Sequence, residues 1–256
     1  MQSDFLSDPV LNERMDIIRK YRKNLWVHST TPLITATKYS DEELRNILEN
    51  FDFWVISAEG HDQESYREMA GVDGFKIFYE QLERVGEIIE KNSLGIDIEI
   101  AFRTCNSRRL RKSEFYKKVS RLFYTSILDS FFSWFGSIKE SDLPTGARLH
   151  LSCNKGKKVN CVVPNATLAM QASGKVVGCG CIDWLEQYCI GDIRKNSLKE
   201  IWSSAEAQQF RQAFERGELP TICEECGLYT PVTCLQKKRL MNYNSLDGLY
   251  YWRKHK

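Results

Sequence analysis

Residues 53–102 read FWVISAEGHDQESYREMAGVDGFKIFYEQLERVGEIIEKNSLGIDIEIAF and contain two strand patterns with a helical pattern between them. The first five residues are almost continuously apolar, which is typical of a buried parallel strand. From Phe75 to Ile89 the apolar residues recur at helical spacing, and residues 94–102 alternate as a strand does. Strands that flank helices in this way predict a parallel sheet covered by helices.

The remainder of the first 150 residues continues this alternation. Ser40 begins a helix with a capping box in which Glu43 occupies the third position. Beyond the helix that runs from Ser40 to about Asn50, the pattern predicts helices at 12–20 and 113–123 and strands at 25–28 and 127–135. The character of the sequence changes near residue 150, so we predict a domain boundary there and an α/β fold overall.

Composition and charge exclude several classes of protein. The 256 residues are 42% hydrophobic and 27% charged, close to the globular average. Lys and Arg number 36 against 34 Asp and Glu, and this near-balance argues against a nucleic-acid partner. No apolar run approaches the roughly 18 residues of a membrane helix. The first 20 residues lack the apolar core of a signal peptide, so we expect a cytoplasmic protein.

Cysteine is concentrated in the last part of the chain. Eight of the nine cysteines lie between Cys153 and Cys234, and only Cys105 lies outside this segment. A cytoplasmic protein sits in a reducing compartment, where disulfides are rare. Clustered cysteines in such a protein indicate metal ligands first.

Two pairs of cysteines have the spacing of a metal site. Cys161 and Cys179 flank a pattern that predicts short strands at 162–163, 168–170 and 175–177. The turn at Gly174 lets two strands fold back and brings the two thiols together. Cys223 and Cys226 form a Cys-x-x-Cys loop that offers two thiolates from one turn. Four thiolates suit Zn²⁺ or a [4Fe–4S] cluster, and the spacing alone does not choose between them. Buried cysteines that bind no metal are the simpler alternative.

The segment from about residue 153 to 235 resembles the SPASM/twitch extension of radical SAM enzymes. The resemblance is carried by the composite pattern of Cys161, the hairpin 174–179, the segments 190–193 and 197–202, and the final Cys-x-x-Cys. It implies that residues 151–256 form a domain holding an auxiliary [4Fe–4S] cluster on Cys161, Cys179, Cys223 and Cys226. Because no cysteine follows Cys234, the shorter twitch version with one cluster is favoured over the version with two.

Residues 10–106 resemble the barrel of the same enzymes. Residues 54–60 are similar to its fourth strand, and the family often contacts SAM where Ser57 and Glu59 end that strand. The resemblance implies that residues 1–150 form an incomplete parallel (β/α) barrel. Arg103, at the end of the next strand, is either a contact for a carboxylate or phosphate or half of a surface ion pair.

The Cys-x3-Cys-x2-Cys loop that binds the catalytic cluster of radical SAM enzymes is absent from these 256 residues. The chain is therefore expected to be a truncated or split gene product, a paralogue without the catalytic site, or one of two polypeptides. The resemblance implies an iron–sulfur protein that is a fragment or partner-dependent half of an enzyme, acting on a peptide or sugar-type substrate. A second polypeptide or self-association would complete the barrel, and SAM would bind only then. The alternative function is a zinc-stabilised binding module without catalysis.

Overall fold

The computed structural model describes residues 4–133, 137–150, 161–180, 183–224, 226 and 229. The chain divides into two compact units, Met1–Phe131 with Glu140–Leu149 and Phe132–Lys139 with His150–Lys256. None of the described helices is long and apolar enough to cross a membrane.

The first unit contains a four-stranded parallel sheet whose strand order follows the chain. Its strands are β1 (His28–Thr31), β2 (Phe53–Ala58), β3 (Asp97–Arg103) and β4 (Tyr124–Leu128). In the central pair Ile56 lies opposite Ile100, so the apolar run of β2 is buried against the next strand. The predicted α/β class with a parallel sheet is confirmed.

One helix precedes β1, and the other helices of this unit connect successive strands of the sheet. They are α1 (Leu11–Tyr21), α2 (Asp41–Leu48), α3 (Gln63–Ala70), α4 (Phe75–Asn92), α5 (Ser107–Lys112) and α6 (Glu114–Leu122). The predicted capping box is present at α2, where the Ser40 backbone N–H donates to Glu43 Oε2 at 2.7 Å and Ser40 Oγ accepts from Glu43 N at 3.3 Å. The helical spacing after Phe75 is that of α4, which buries one face in a hydrophobic core that also contains residues of β2 and β3.

Two predicted strands are displaced. The strand expected at 25–28 lies at His28–Thr31, because both backbone groups of Val27 are hydrogen-bonded to Asp52. The Val27 N–H donates to the Asp52 carboxylate at 2.6 Å, and the Val27 carbonyl accepts from Asp52 N at 2.8 Å. The strand expected at 127–135 begins at Tyr124, directly after α6, and ends at Leu128. Residues 134 and 135 of that prediction lie outside the described residues.

The second unit is a small antiparallel sheet with short helices. Its strands, in the order β5-β6-β7, are Ala169–Met170, Lys175–Val177 and Cys189–Asp192. The helices are α7 (Val162–Ala166), α8 (Leu198–Ser203), α9 (Ala205–Arg216) and α10 (Thr221–Glu224). The strand predicted at 162–163 is wrong, because these residues begin α7. Pro164 lies in the first turn of this helix, where backbone N–H groups have no partner within the helix, so a residue without an N–H is tolerated there.

Candidate metal centre

The four cysteines predicted as ligands line one pocket in the second unit. Cys161, Cys179, Cys223 and Cys226 face it together with Pro164, Phe210, Phe214 and Tyr229. They come from three separate places in the sequence, since 17 residues lie between Cys161 and Cys179 and 43 lie between Cys179 and Cys223. Their meeting is therefore a result of the tertiary fold.

Cys161 immediately precedes α7, in the N-cap position of that helix. Its backbone is extended, and its carbonyl accepts a hydrogen bond from Asn165 Nδ2 at 2.8 Å. Only 8% of Cys161 is exposed. The sequence pattern predicted this cysteine beside a strand of the hairpin, whereas in the structure it lies at the start of a helix.

Cys179 follows the hairpin formed by β5 and β6. Gly174 has a positive φ of 86°, and its N–H donates to the Gln171 carbonyl at 2.9 Å, which closes the turn. A left-handed backbone of this kind is easy for glycine and strained for other residues. The predicted hairpin is confirmed, with Ala169 opposite Val177 in the antiparallel register.

The residue before Cys179 has to be small. A Cβ added to Gly178 would lie 2.9 Å from three atoms of the Phe210 ring. The missing side chain therefore lets Phe210 of α9 pack directly against the backbone that carries the thiol. The ring is itself packed against Tyr188 and Phe214, at centroid distances of 5.8 and 6.3 Å.

Cys223 and Cys226 lie in and just after α10. The Cys223 N–H donates to the Pro220 carbonyl at 2.7 Å, and the Cys226 N–H donates to the Cys223 carbonyl at 3.4 Å. This turn presents both side chains to the pocket, as the Cys-x-x-Cys spacing predicts. Cys223 is 7% exposed and Cys226 is half-buried.

The donor set of the pocket fits an inorganic metal group. Four thiolates are the ligand set of a [4Fe–4S] cluster and also of structural zinc. The cavity between the lining residues measures about 20 Å³, far below the roughly 300–1,000 Å³ of organic ligand pockets. Among the described residues, no group of three or more His, Cys, Asp or Glu side chains is close enough together to hold a single metal ion.

Cys189 differs from these four cysteines. It is exposed on β7, and its Sγ lies 3.3 Å from the Gly191 carbonyl oxygen. It is not among the residues that line the pocket. Cys153, Cys181 and Cys234 lie outside the described residues.

Ser57 and Glu59, the two predicted SAM contacts, lie at the carboxyl end of β2 in the first unit. Ser57 is 7% exposed, within the strand. Glu59 pairs with Arg103, whose Nη1 lies 3.2 Å from Glu59 Oε1. Burial raises the pKa of the Glu59 carboxyl, and the positive charge of Arg103 opposes this shift. Arg103 therefore forms an ion pair, one of the two roles expected for it.

His61 follows Glu59 by two residues and was not singled out from the sequence. It is 5% exposed, its Nδ1 lies 3.3 Å from Ser65 Oγ, and its Nε2 lies 3.4 Å from Asp62 Oδ2. Burial lowers the pKa of the imidazole. The available signal was its position two residues beyond Glu59, because polar side chains that follow parallel strands gather at one edge of a sheet.

Comparison with known proteins agrees with the geometry of the second unit. Residues 161–227 match the family model of the SPASM domain, described as an iron–sulfur cluster-binding domain. This segment is similar to SPASM domains. The match begins at Cys161 and ends one residue beyond Cys226, so it includes all four cysteines of the pocket. The resemblance of this segment to SPASM domains is confirmed.

Two further comparisons concern the whole chain. A crystal structure of selenomethionine-labelled BtrN in an open conformation is similar with a TM-score of 0.41 and 14% sequence identity. The alignment covers 86% of this chain and 79% of that one. No curated protein sequence matches the chain.

Proposed function

We propose that the SPASM domain binds one [4Fe–4S] cluster through Cys161, Cys179, Cys223 and Cys226, as the auxiliary cluster of a radical SAM-type enzyme. The observation that carries this proposal is the convergence of these four thiols on one pocket within the matched segment. The single-cluster form corresponds to the twitch version of the domain.

The family match favours a cluster over a single zinc ion. Residues 161–227 match a family described as an iron–sulfur cluster-binding domain. A four-iron cluster uses one thiolate for each iron, and the pocket supplies four thiols from three separate places in the sequence.

The surroundings of the thiols also suit an iron–sulfur cluster. Cys161, Cys179 and Cys223 are each less than a tenth exposed. The rings of Phe210 and Phe214 line the same pocket and limit the access of water. Burial and an apolar shell are among the factors that set the reduction potential of such a cluster. The cluster, when bound, would supply a site for electron transfer or for substrate binding.

We further propose that the carboxyl ends of β2 and β3 face SAM and the substrate. Parallel strands place their functional groups at this end. Ser57 would contribute a hydroxyl, and the Glu59–Arg103 pair would contribute paired charges able to bind polar groups. The substrate class is a peptide or a sugar-type small molecule, and the site of action is the cytoplasm.

The loop for the catalytic cluster would come from outside these 256 residues, through a second polypeptide or a longer chain, and a second polypeptide or self-association would complete the barrel. Among the described strands, β1 lies at the edge of the sheet and pairs with β2 alone. An edge strand can take up a further strand through its backbone groups. In this proposal the first unit is an incomplete barrel that such an addition completes.

The metal content of the full chain tests the proposal. After anaerobic purification and reconstitution, we expect about four irons and four acid-labile sulfides per chain, since a [4Fe–4S] site uses four thiolates. Atomic absorption and a colorimetric sulfide assay make the measurement. One zinc without sulfide would instead establish a zinc-stabilised binding module, and the iron–sulfur proposal would be wrong.

A second prediction concerns SAM. The 256-residue chain by itself, reconstituted and reduced under anaerobic conditions, should release no 5′-deoxyadenosine, because it lacks the Cys-x3-Cys-x2-Cys loop. Liquid chromatography of the reaction mixture measures the product. An authentic radical SAM enzyme reconstituted in parallel is the positive control. Product formed by this chain alone would contradict the need for added strands.

A further inference from the structure

Asp183 lies in the connection between β6 and β7, four residues after Cys179. Its side chain is completely buried, and its two carboxylate oxygens accept hydrogen bonds from the backbone N–H groups of Gln187 at 2.9 Å and Tyr188 at 2.8 Å. Its own N–H donates to the Cys179 carbonyl at 3.1 Å. A buried carboxylate is costly unless it is hydrogen-bonded, and here backbone N–H groups supply these bonds.

Tyr188 extends these contacts to the other pair of cysteines. Its carbonyl accepts a hydrogen bond from Gly178 N at 3.0 Å, next to Cys179. Its hydroxyl oxygen accepts from the N–H of Thr221 at 3.1 Å. Thr221 is the first residue of α10, which carries Cys223. Tyr188 therefore connects the hairpin that holds Cys179 with the helix that holds Cys223.

We propose that Asp183 and Tyr188 are positioning residues that set the separation of Cys179 and Cys223 before a metal group binds. The inference rests on the proposed function only for the identity of that group. Asp183 holds Tyr188 by its N–H, and Tyr188 holds α10 by its hydroxyl, so the two residues act in series. Ligands that are held in place by hydrogen-bonded neighbours lose less freedom when the metal binds.

Cys161 lies outside this series of contacts and provides an internal reference. Its carbonyl is held by Asn165 within α7, not by Asp183 or Tyr188. Loss of the Tyr188 hydroxyl should therefore increase the motion of Cys179 and Cys223 relative to one another and leave the position of Cys161 unchanged. A general loss of stability would affect all three thiols to a similar degree.

The experiment compares Tyr188→Phe and Asp183→Asn with wild type in the full chain. Matched controls are Tyr39→Phe, whose hydroxyl donates to the Leu6 carbonyl at 2.8 Å, and Asp52→Asn, whose carboxylate accepts from Val27 N. Both controls lie in the first unit. In metal-free protein, iodoacetamide labelling followed by peptide mass spectrometry gives the alkylation rate of each cysteine. In reconstituted protein, the loss of absorbance after addition of an iron chelator gives the rate of cluster release.

We expect Tyr188→Phe and Asp183→Asn to raise the alkylation rates of Cys179 and Cys223 roughly fivefold, the effect of one lost hydrogen bond. Cys161 should keep its wild-type rate, and cluster release should accelerate by a similar factor. The inference is wrong if Tyr188→Phe behaves like Tyr39→Phe, or if all three thiols become equally reactive. A wild-type chain that binds no iron and sulfide would refute the proposed function, and the alkylation pattern would still decide whether the two residues position the thiols.

Discussion

Replacing both Cys223 and Cys226 by alanine is expected to reduce the iron bound per reconstituted chain from about four to less than one, because a [4Fe–4S] cluster needs thiolate ligands for its irons. These two cysteines supply half of the thiols that line the pocket. Since binding of a metal group adds to folding free energy, reconstitution should raise the melting temperature of wild type and leave that of the double variant unchanged. Iron analysis and calorimetry before and after reconstitution measure both effects.

Cys189→Ala is the matched control for this experiment. It also removes a thiol from the second unit, but Cys189 is exposed on β7 and does not line the pocket. We expect this variant to keep the wild-type iron content and the wild-type gain in melting temperature. A double variant that still binds four irons would show that the ligands lie elsewhere, with Cys153, Cys181 and Cys234 as the next candidates.

Gly178→Ala should disrupt the same pocket by steric overlap. The new Cβ would stand 2.9 Å from three atoms of the Phe210 ring, a separation that real Cβ atoms do not tolerate. Phe210 is 7% exposed and is held between Tyr188 and Phe214, so it has little room to move. Overpacking of this kind costs about 1–3 kcal/mol of stability. We expect a loss of that size in urea unfolding of the second unit, together with incomplete reconstitution.

Gly95→Ala is the control substitution for this effect. A Cβ at Gly95 meets nothing within 4 Å, so the same chemical change should leave stability and iron content unaltered. The double variant Gly178→Ala, Phe210→Leu replaces the ring with a smaller side chain and should recover part of the lost iron. If Gly178→Ala reconstitutes as fully as wild type, the close approach of Phe210 does not shape the site.

The elements that the sequence predicted well depend on interactions between near neighbours. The capping box joins Ser40 to Glu43, three residues away, and the hairpin turn depends on the conformational freedom of Gly174. The strand expected at 25–28 failed for the opposite reason. Asp52, some 25 residues away, forms hydrogen bonds with the backbone of Val27, and no local sequence pattern predicts that contact. The helix at Val162–Ala166 was mistaken for a strand because adjacent valines favour strands when their neighbours are ignored.

For the candidate site, too, the sequence predicted some features and only the folded structure showed the others. The spacing of the cysteines was enough to nominate Cys161, Cys179, Cys223 and Cys226, and the composite pattern around them was enough to recognise the SPASM domain. That these four residues are the ligands remains a prediction. Their common pocket and the aromatic rings around it became visible only in the folded chain.

For the first unit, the sequence was sufficient to establish an alternating α/β chain and to suggest Ser57 and Glu59 at the end of a buried strand. It did not show that Arg103 pairs with Glu59 or that His61 is buried beside Ser65. In the second unit it likewise did not show that Tyr188 reaches Thr221. Residue type and spacing along the chain are enough to predict helices, turns and the chemistry of a ligand set. Contacts between residues tens of positions apart depend on how the elements pack, and packing is set by the whole chain at once.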